Sequence, residues 1–360
     1  MKILLIGNSD LVLFNFRKEL ISALIAKGHE VFISCPNGHK VTKLVQLGCK
    51  FYSWKLNRHS INPFNEMISF ISLGKIIKQI KPNFILSFTI KPNIYSGLYS
   101  RFYKYSFIPN ITGLGLVFRK KSLLRSFIIQ LYRFSFIHSK AIFLQNSSDF
   151  DLFKTLRIYP NKLSLLPGSG VNIDEFTYSN YPTEEHCIKF LYSGRIMREK
   201  GFDLFLSASK IIKATHSNTS FIVCGFAEEG YENILKRAIK ENIIEYRGNL
   251  VDVKPLIREV HCIIQPSFYP EGISNVILEA ASMGRPVIAS TNPGCKDAVL
   301  DNVTGLIFQN MNLVDLISKI NKFISLNPQS KIILSLNARK YIIETYNRDL
   351  ITNFYLGHLH

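Results

Sequence analysis

Two carboxylates, Glu271 and Glu279, lie eight positions apart in the segment YPEGISNVILEAASMGRPVIAS, residues 269–290. Ser274 is a residue type that commonly caps a helix, so we predict a helix from Asn275 whose first turn presents backbone N–H groups and the positive end of its dipole. Glu271 then precedes the helix, and Glu279 lies about one and a half turns into it. The two carboxylates are too far apart to bind one metal ion, and each would repel a phosphate group. The pattern favours hydrogen bonds from neutral hydroxyl groups on either side of a bound phosphate.

A second polar segment, SGRIMREKGFD (193–203), places Arg195 and Lys200 between a strand pattern and a helical pattern. In open parallel sheets, ligands bind at the carboxyl edge, where loops of this kind lie. Two cations there would neutralise a diphosphate, whereas either one alone is more often an exposed loop charge. Together with the two carboxylates they indicate a site for a nucleotide-sugar, which has hydroxyl groups on both sides of its diphosphate.

The elements that must position these side chains alternate between strand and helix in each half of the chain. MKILLIG, FNFRKELISALIAKG and EVFISC predict strand, helix and strand, and further strands are predicted at 84–88, 107–111 and 141–145. Residues 165–186 lose this periodicity and predict a linker, after which the alternation resumes. We therefore expect an α/β protein with two Rossmann-like domains facing across a cleft. Neither G-x-G-x-x-G nor a Walker A loop follows the first strand, which argues against a dinucleotide or P-loop site there.

Composition narrows the class of protein further. The six cysteines show no C-x-x-C and no paired Cys/His spacing, which argues against a zinc site or a disulfide framework and fits a reducing cytoplasm. The first residues, MKILLIG, are better explained as a strand than as a signal peptide, and no apolar run reaches the length of a membrane span. We expect a cytoplasmic protein.

The net charge of +18 is concentrated in the first half of the chain. Residues 1–175 contain 24 Lys and Arg against 8 Asp and Glu, whereas residues 176–360 contain 20 against 18. A general lysine bias would act on both halves, so the asymmetry favours a basic functional face within residues 58–140, directed at nucleic acid or at an anionic membrane. The densest part of this face holds Arg119, Lys120, Lys121, Arg125 and Arg133 beside Phe118, Phe127, Phe134 and Phe136.

The segments SGRIMREKGFD, QPSFYPEGISNVILEAASMGRPVIAS and GCKDAVLDNVTGLIF resemble, in order and spacing, the retaining glycosyltransferases of family four, which have the GT-B fold. In the first half, RHSINPF, KPNFILSFTIKPNIYSGLYSR, NITGLGLVF and LLPGSGVNIDEF resemble the members that build bacterial capsule, O-antigen and other lipid-linked glycans. The resemblance implies an acceptor-binding domain at 1–168, joined by a C-terminal helix at about 345–360, and a nucleotide-sugar-binding domain at 169–344.

On the donor side, the resemblance implies that Arg195 and Lys200 neutralise the diphosphate of a UDP-linked hexose or N-acetylhexosamine. Glu271 would hold the hydroxyls of the donor sugar and Glu279 the ribose. Arg195, Lys200 and Glu271 are thus the implied catalytic residues. No cofactor and no metal ion are expected, since the two cations take the place of a metal. The other donor-binding residues implied are Gly194, Gly225, Arg247, Asn249, Ser274, Asn275 and Val276.

On the acceptor side, the candidates are Asn110, Thr112 and His59. Related enzymes often carry a histidine where this chain has Thr112, so no general base is evident, although a departing phosphate oxygen can take the acceptor proton in a retaining reaction. The implied partners are a polyprenyl-diphosphate-linked glycan and the anionic inner face of the cytoplasmic membrane, with no role for nucleic acid. Two alternatives stay open: a nucleotide-sugar epimerase of the same fold, and a basic nucleic-acid-binding protein.

Overall fold

The computed structural model describes residues 1–57, 62–103, 105–183 and 187–359. It divides the chain into two compact units, of which unit 1 is Met1–Gly170 with Arg348–His360 and unit 2 is Val171–Asn347. Each unit is built on one parallel sheet with helices between successive strands, which confirms the predicted α/β class. The division at Gly170 lies inside the predicted linker, two residues beyond the expected limit of 168.

Unit 1 contains a seven-stranded sheet with the order β3-β2-β1-β4-β5-β6-β7. One apolar core lies between this sheet and α1, and a second lies on the opposite face beneath α3, α4, α5 and α6. Because both faces are covered, the central strands are buried along nearly their whole length, with Lys2 at the start of β1 as the exposed residue. Its elements in chain order are β1 (Lys2–Ile6), α1 (Asp10–Ala26), β2 (Glu30–Cys35), α2 (Val41–Gln46), β3 (Lys50–Ser53), α3 (Pro63–Ile80), β4 (Phe84–Phe88), α4 (Ile90–Tyr99), β5 (Ser106–Ile111), α5 (Leu123–Ser135), β6 (Ile142–Leu144), α6 (Ser147–Thr155) and β7 (Leu163–Leu165).

Unit 2 contains a six-stranded sheet with the order β10-β9-β8-β11-β12-β13. Its two cores lie between the sheet and α7, α8 and α12 on one face, and between the sheet and α9, α10 and α13 on the other. Its elements are β8 (Ile188–Ser193), α7 (Phe202–Thr215), β9 (Thr219–Cys224), α8 (Glu232–Lys240), β10 (Glu245–Tyr246), α9 (Lys254–Glu259), β11 (Cys262–Gln265), α10 (Asn275–Ser282), β12 (Val287–Ser290), α11 (Pro293–Lys296), β13 (Gly305–Phe308), α12 (Leu313–Ser325) and α13 (Pro328–Tyr346).

The predicted elements differ from the structure mainly at their ends. The strands expected at 84–88, 107–111 and 141–145 correspond to β4, β5 and β6 to within one residue at each end. The sequence pattern predicts a first helix that begins near Phe14, but the helix begins at Asp10, because the Ser9 hydroxyl accepts a hydrogen bond from the Val12 N–H at 3.3 Å and caps it there.

The C-terminal segment is not one continuous helix. Helix α13 ends at Tyr346, Asn347 has extended backbone angles, and a new helix, α14 (Arg348–Gly357), returns to unit 1. Within unit 1 the buried Arg348 guanidinium bonds to the Glu19 carboxylate at 3.0 Å and to the Gly170 carbonyl at 2.9 Å. These bonds fix α14 against α1.

Candidate active site

The loops after β8, β9 and β10 pack backbone against backbone at the carboxyl edge of the sheet in unit 2. The Gly194 N–H donates to the Cys224 carbonyl at 3.0 Å, and the Gly225 N–H donates to the Gly248 carbonyl at 2.9 Å. A Cβ atom on Gly225, whose φ is +133°, would lie 1.8 Å from the Gly194 carbonyl oxygen. Only glycine fits at position 225, and the three loops form one tightly connected edge.

The two predicted cations lie together at this edge. The Arg195 guanidinium pairs with Glu228 at 3.2 Å, and the Lys200 ammonium pairs with Glu271 at 2.7 Å. Both cations also lie over the ring of Tyr269, at 5.4 and 5.3 Å from its centroid. The structure thus brings Arg195 and Lys200 to one aromatic ring between two carboxylates.

Two contacts hold these cations in place. The hydroxyl of buried Tyr192 donates to the Arg195 carbonyl at 2.7 Å. Burial, followed by the charge of Glu271, raises the pKa of Tyr192 well above its ordinary value, so this hydroxyl keeps its proton. Lys200 ends a 3-10 turn that is closed by Gly201, where a Cβ would lie 2.2 Å from the Pro266 carbonyl. The loops after β8 and β11 are therefore in direct backbone contact.

Glu271 lies in the loop after β11, as predicted, and its side chain is largely buried. The sequence pattern assigned Lys200 to a diphosphate and Glu271 to sugar hydroxyls, which are separate tasks. In the structure the two side chains are bonded to each other. They act as a pair, and a ligand for one of them changes the surroundings of the other.

Helix α10 begins at Asn275 with Ser274 in the N-cap position, as predicted. The serine hydroxyl does not bond to the helix, however. It accepts a hydrogen bond from the Gln265 side chain at 3.2 Å, and the Ser274 N–H donates to the Gly294 carbonyl at 2.7 Å. Ser274 therefore links the start of α10 to the end of β11 instead of capping the helix.

The remaining predicted donor residues lie in the same unit. Asn275 and Val276 form the first turn of α10, and Glu279, on the same helix, is half-buried. Arg247 and Asn249 are exposed in the loop after β10, where Arg247 pairs with Glu245 at 2.7 Å. These two lie at the carboxyl edge but are held by few contacts.

The acceptor-side prediction for Asn110 is wrong. Asn110 is 0% exposed, and its side chain accepts from the Tyr355 hydroxyl at 2.5 Å and donates to the Ser87 carbonyl at 3.1 Å. Its amide is used to join β4, β5 and α14, so it does not face an acceptor. Thr112 is half-buried in the loop after β5, and His59 lies outside the described residues.

Sequence reasoning missed Glu228 and Tyr269, which complete the cluster around the cations. The available signal was position, since Glu228 follows β9 and Tyr269 follows β11 at the carboxyl edge. Among the described residues, no group of three or more His, Cys, Asp or Glu side chains could hold a metal ion. In the same residues, every helix is too short or too polar to cross a bilayer.

Comparison with protein-family models gives two matches. The model described as "Glycosyl transferase 4-like" matches residues 2–146, and the model described as "Glycosyl transferases group 1" matches residues 187–325. The two matches fall in different units and together include most of the chain. The second contains Arg195, Lys200, Glu271 and Glu279.

Individual relatives of this chain also have the names of glycosyltransferases. An N,N'-diacetylbacillosaminyl-diphospho-undecaprenol alpha-1,3-N-acetylgalactosaminyltransferase of Campylobacter jejuni is 25% identical over 99% of this chain and 97% of its own. An alpha-1,3-galactosyltransferase of Escherichia coli, named for UDP-Gal and alpha-D-GlcNAc-diphosphoundecaprenol, is 24% identical over 80% of this chain and 78% of its own.

Solved structures share the fold. HepE from Anabaena in complex with UDP superposes with a TM-score of 0.82 and 15% identity over 100% of this chain and 99% of its own. A glycosyltransferase from Rickettsia africae superposes with a TM-score of 0.80 and 21% identity over 99% of this chain and 97% of its own. With two parallel α/β units that each match a glycosyltransferase model, this chain is an enzyme that belongs to the GT-B glycosyltransferases.

Proposed function

We propose that the chain transfers a hexose or N-acetylhexosamine from a UDP-sugar to a lipid-linked glycan, with retention of the anomeric configuration. The observation that carries this proposal is the cluster around Tyr269, where Arg195 and Lys200 share one ring and Lys200 is bonded to Glu271. Two cations beside a carboxylate match a diphosphate that is joined to a hydroxyl-rich sugar.

The donor would bind by an exchange of partners. Arg195 and Lys200 each have a carboxylate partner in the structure. A diphosphate carries more charge than a carboxylate and accepts several hydrogen bonds, so it competes for the same donors. Once Lys200 turns to the diphosphate, Glu271 accepts hydrogen bonds from the sugar. The positive end of α10 adds to the potential there.

The reaction would proceed on one face of the sugar. The acceptor oxygen forms a bond to the anomeric carbon while the bond from that carbon to the UDP oxygen breaks, and the departing phosphate oxygen takes the acceptor's proton. Arg195 and Lys200 stabilise the negative charge that develops on the diphosphate. This is the part that a divalent metal plays in other transferases, so we propose a reaction that needs none.

The names of the relatives support the substrate classes. The Campylobacter jejuni relative is named for an undecaprenol-linked acceptor and for transfer of N-acetylgalactosamine, and the Escherichia coli relative for UDP-Gal and an undecaprenol-linked acceptor. Both names state an alpha linkage, which corresponds to retention when the sugar is alpha-linked in the donor. We propose the same classes of donor and acceptor for this chain.

A membrane-bound acceptor requires the enzyme to reach the membrane surface, and we propose that the outer face of α3 and α5 does so. This face exposes Leu123 (91%), Phe127 (59%) and Phe64 (64%) to solvent, and Lys120 and Lys121 lie exposed just before α5. Exposed apolar side chains with flanking cations are typical of a helix that lies in the headgroup region of an anionic bilayer. The protein would then be peripheral on the cytoplasmic face of the membrane.

The predicted set of aromatic residues on this face needs a correction. Phe118 and Phe136 are buried and belong to the apolar core beneath α3 to α6. Phe127 and Phe134 are exposed. Fewer rings are therefore available to lipid than the sequence pattern suggested, although α3 adds the exposed ring of Phe64.

The proposed donor is tested by thermal shift with a panel of nucleotide-sugars, because a ligand that binds only the folded state raises the melting temperature. UDP-sugars should raise it, and the Arg195→Ala variant should lose the shift. Transfer measured with the best donor should persist in EDTA. A reaction that stops in EDTA and recovers with Mg²⁺ or Mn²⁺ would contradict the proposed role of the two cations.

A further inference from the structure

Unit 1 has polar side chains at the carboxyl ends of three strands that no role described so far explains. In its sheet the strand order reverses between β1 and β4, the position at which open α/β sheets bind ligands. Asn8 lies two residues after β1, Thr89 follows β4 directly, and Gln145 follows β6 directly. Strands β1, β4, β5 and β6 are neighbours in that order, about 5 Å apart.

Thr89 has an unusual backbone. Its φ is 76° and its ψ is 168°, a region that glycine occupies easily and that a β-branched residue rarely adopts. Exposed residues with positive φ elsewhere in unit 1, such as Arg157 at 51°, lie near the left-handed helical region instead. Strained backbone of this kind is found most often at binding and catalytic sites, where the surrounding structure holds it in place.

The side chains of Asn8, Thr89 and Gln145 each contain a buried polar atom that finds no hydrogen-bond partner among the described residues. These atoms are the Oδ1 of Asn8, the Oγ1 of Thr89 and the Nε2 of Gln145. Gln145 as a whole is only 5% exposed. Buried polar atoms are almost always hydrogen-bonded in folded proteins, so three such atoms at one edge provide hydrogen-bonding groups for a polar ligand.

The chemistry of these atoms selects the class of ligand. One is an acceptor, one is a donor, and the threonine hydroxyl is both. The several hydroxyl groups of a sugar each donate and accept, so different hydroxyls can bond to the three side chains, which follow strands of a sheet whose neighbouring strands are about 5 Å apart. A phosphate accepts only and has no hydrogen to offer to the Asn8 oxygen.

The edge beneath these atoms is held rigidly. The Ser87 hydroxyl donates to the Asn93 side chain at 2.6 Å, Asn93 donates to the Asn110 carbonyl at 2.8 Å, and Asn110 donates to the Ser87 carbonyl at 3.1 Å. This buried triangle locks the ends of β4 and β5 to the first turn of α4 and so fixes Thr89. Asn110, which is wrong as an acceptor contact, is part of this support.

We propose that Asn8, Thr89 and Gln145 form a subsite for a neutral sugar, and that this subsite binds the terminal residue of the glycan acceptor. The proposal rests on the proposed function for the identity of that sugar as an acceptor. In this proposal Thr89 binds the substrate through its hydroxyl, which lies where the strand order of the sheet reverses.

The test uses the full-length Thr89→Gly variant, which removes the hydroxyl and relieves the backbone, with Arg157→Gly as a control. Arg157 also has positive φ in unit 1, but it is exposed after the far end of α6. Thr89→Gly should raise KM for the lipid-linked acceptor about tenfold or more, the cost of one lost hydrogen bond, without lowering Tm. Its KM for the donor should stay within about twofold. Gln145→Leu should shift KM in the same way.

An acceptor KM that is unchanged in Thr89→Gly overturns the subsite, and so does an equal loss of donor and acceptor affinity. Failure of the proposed function is a separate result. If the wild-type chain transfers sugar to no lipid-linked glycan, saturation-transfer NMR with methyl glycosides of galactose and N-acetylhexosamines still tests the subsite. The subsite is supported if the wild type and Arg157→Gly give a signal and Thr89→Gly does not. No signal in the wild type overturns it.

Discussion

Lys200 and Glu271 form a close ion pair in unit 2. Its atoms are 2.7 Å apart and both side chains are largely buried, so each charge depends on the other for its solvation. Removing one partner of such a pair leaves an uncompensated charge, which is much more costly than loss of an exposed pair. The exposed pair of Lys210 and Glu241, at 3.8 Å, offers a comparison within the same unit.

Replacing Glu271 or Arg195 with alanine should lower kcat/KM by roughly 10²-fold or more, because each removes a preorganised polar contact at the reacting diphosphate-sugar. Steady-state kinetics with a UDP-sugar measures this. Glu241→Ala is the matched control and should keep wild-type kinetics. Near-native turnover by a folded Glu271→Ala protein would remove this residue from the reaction.

Residue types at the candidate active site were predictable from the sequence, but their pairing was not. The loops that carry Arg195, Lys200, Glu271 and Glu279 follow from the alternation of strands and helices. The bond between Lys200 and Glu271 joins positions 71 residues apart, which no local pattern encodes. Asn110 was misassigned for the same reason, since its partner Tyr355 is 245 residues away.

Glycines set the geometry of the carboxyl edge in unit 2. Gly225 has φ +133° and would clash with the Gly194 carbonyl if it carried a Cβ, whereas Gly230, with φ +87°, has nothing within 4 Å of such an atom. Both positions have a positive φ, but only Gly225 would clash with neighbouring backbone if it carried a Cβ. Alanine at position 230 therefore tests the effect of backbone strain alone, whereas alanine at position 225 also displaces the neighbouring loop.

Gly225→Ala should displace the loop after β9 from Gly194, lower Tm and weaken the binding of UDP. Gly230→Ala should cost only about 1 kcal/mol of stability from its backbone angle and leave UDP affinity unchanged. Thermal unfolding and UDP titration calorimetry measure the two effects. Equal UDP affinity in both variants would show that contact between these loops does not shape the donor site.

The sequence predicts which strands and helices exist, but it does not predict the residues at which they begin and end. Periodicity located the predicted strands and the linker because apolar side chains must face a core. It missed the start of α1 at Asp10, which the Ser9 hydroxyl decides, and the break at Asn347, which lets α14 leave unit 2. Caps and breaks depend on single side chains and on distant partners.

Buried thiols in both units should make the whole molecule sensitive to alkali. Burial raises the pKa of Cys35 to about 12 and of Cys49 to about 11 in unit 1, and that of Cys295 to about 12 in unit 2, from 9.0. The folded state keeps these protons, while the unfolded state releases them above about pH 9. Their contribution to stability is therefore complete below pH 9 and is lost as the pH rises towards 12.

Urea unfolding at about pH 8 and about pH 10.5 should show this loss, at about 1.4 kcal/mol per pH unit for each thiol. Cys295→Ala should reduce the dependence on pH, and Cys187→Ala, which removes a half-buried thiol, serves as the control. A free energy of unfolding that does not fall between the two pH values would contradict the burial of these thiols.

The uneven charge of the chain leads to a prediction about membranes. Vesicle co-sedimentation should show binding that requires anionic lipid and weakens with salt. Charge reversal of Lys120, Lys121 and Arg125 should abolish it. The same reversal of Lys236, Arg237 and Lys240, which are exposed on α8 of unit 2, should leave it intact. Equal binding to neutral vesicles, or equal loss in both variants, would contradict docking through α3 and α5.

Retaining transfer to a lipid-linked acceptor is tested most directly by the anomeric configuration of the product. The purified chain is incubated with an alpha-linked UDP-sugar and a short polyprenyl-diphosphate glycan, and the new linkage is assigned by NMR. An alpha-linked product is predicted, since the acceptor is expected to attack from the face that the diphosphate leaves. A beta-linked product would contradict retention, and an epimerised nucleotide-sugar without a new glycosidic bond would contradict transfer.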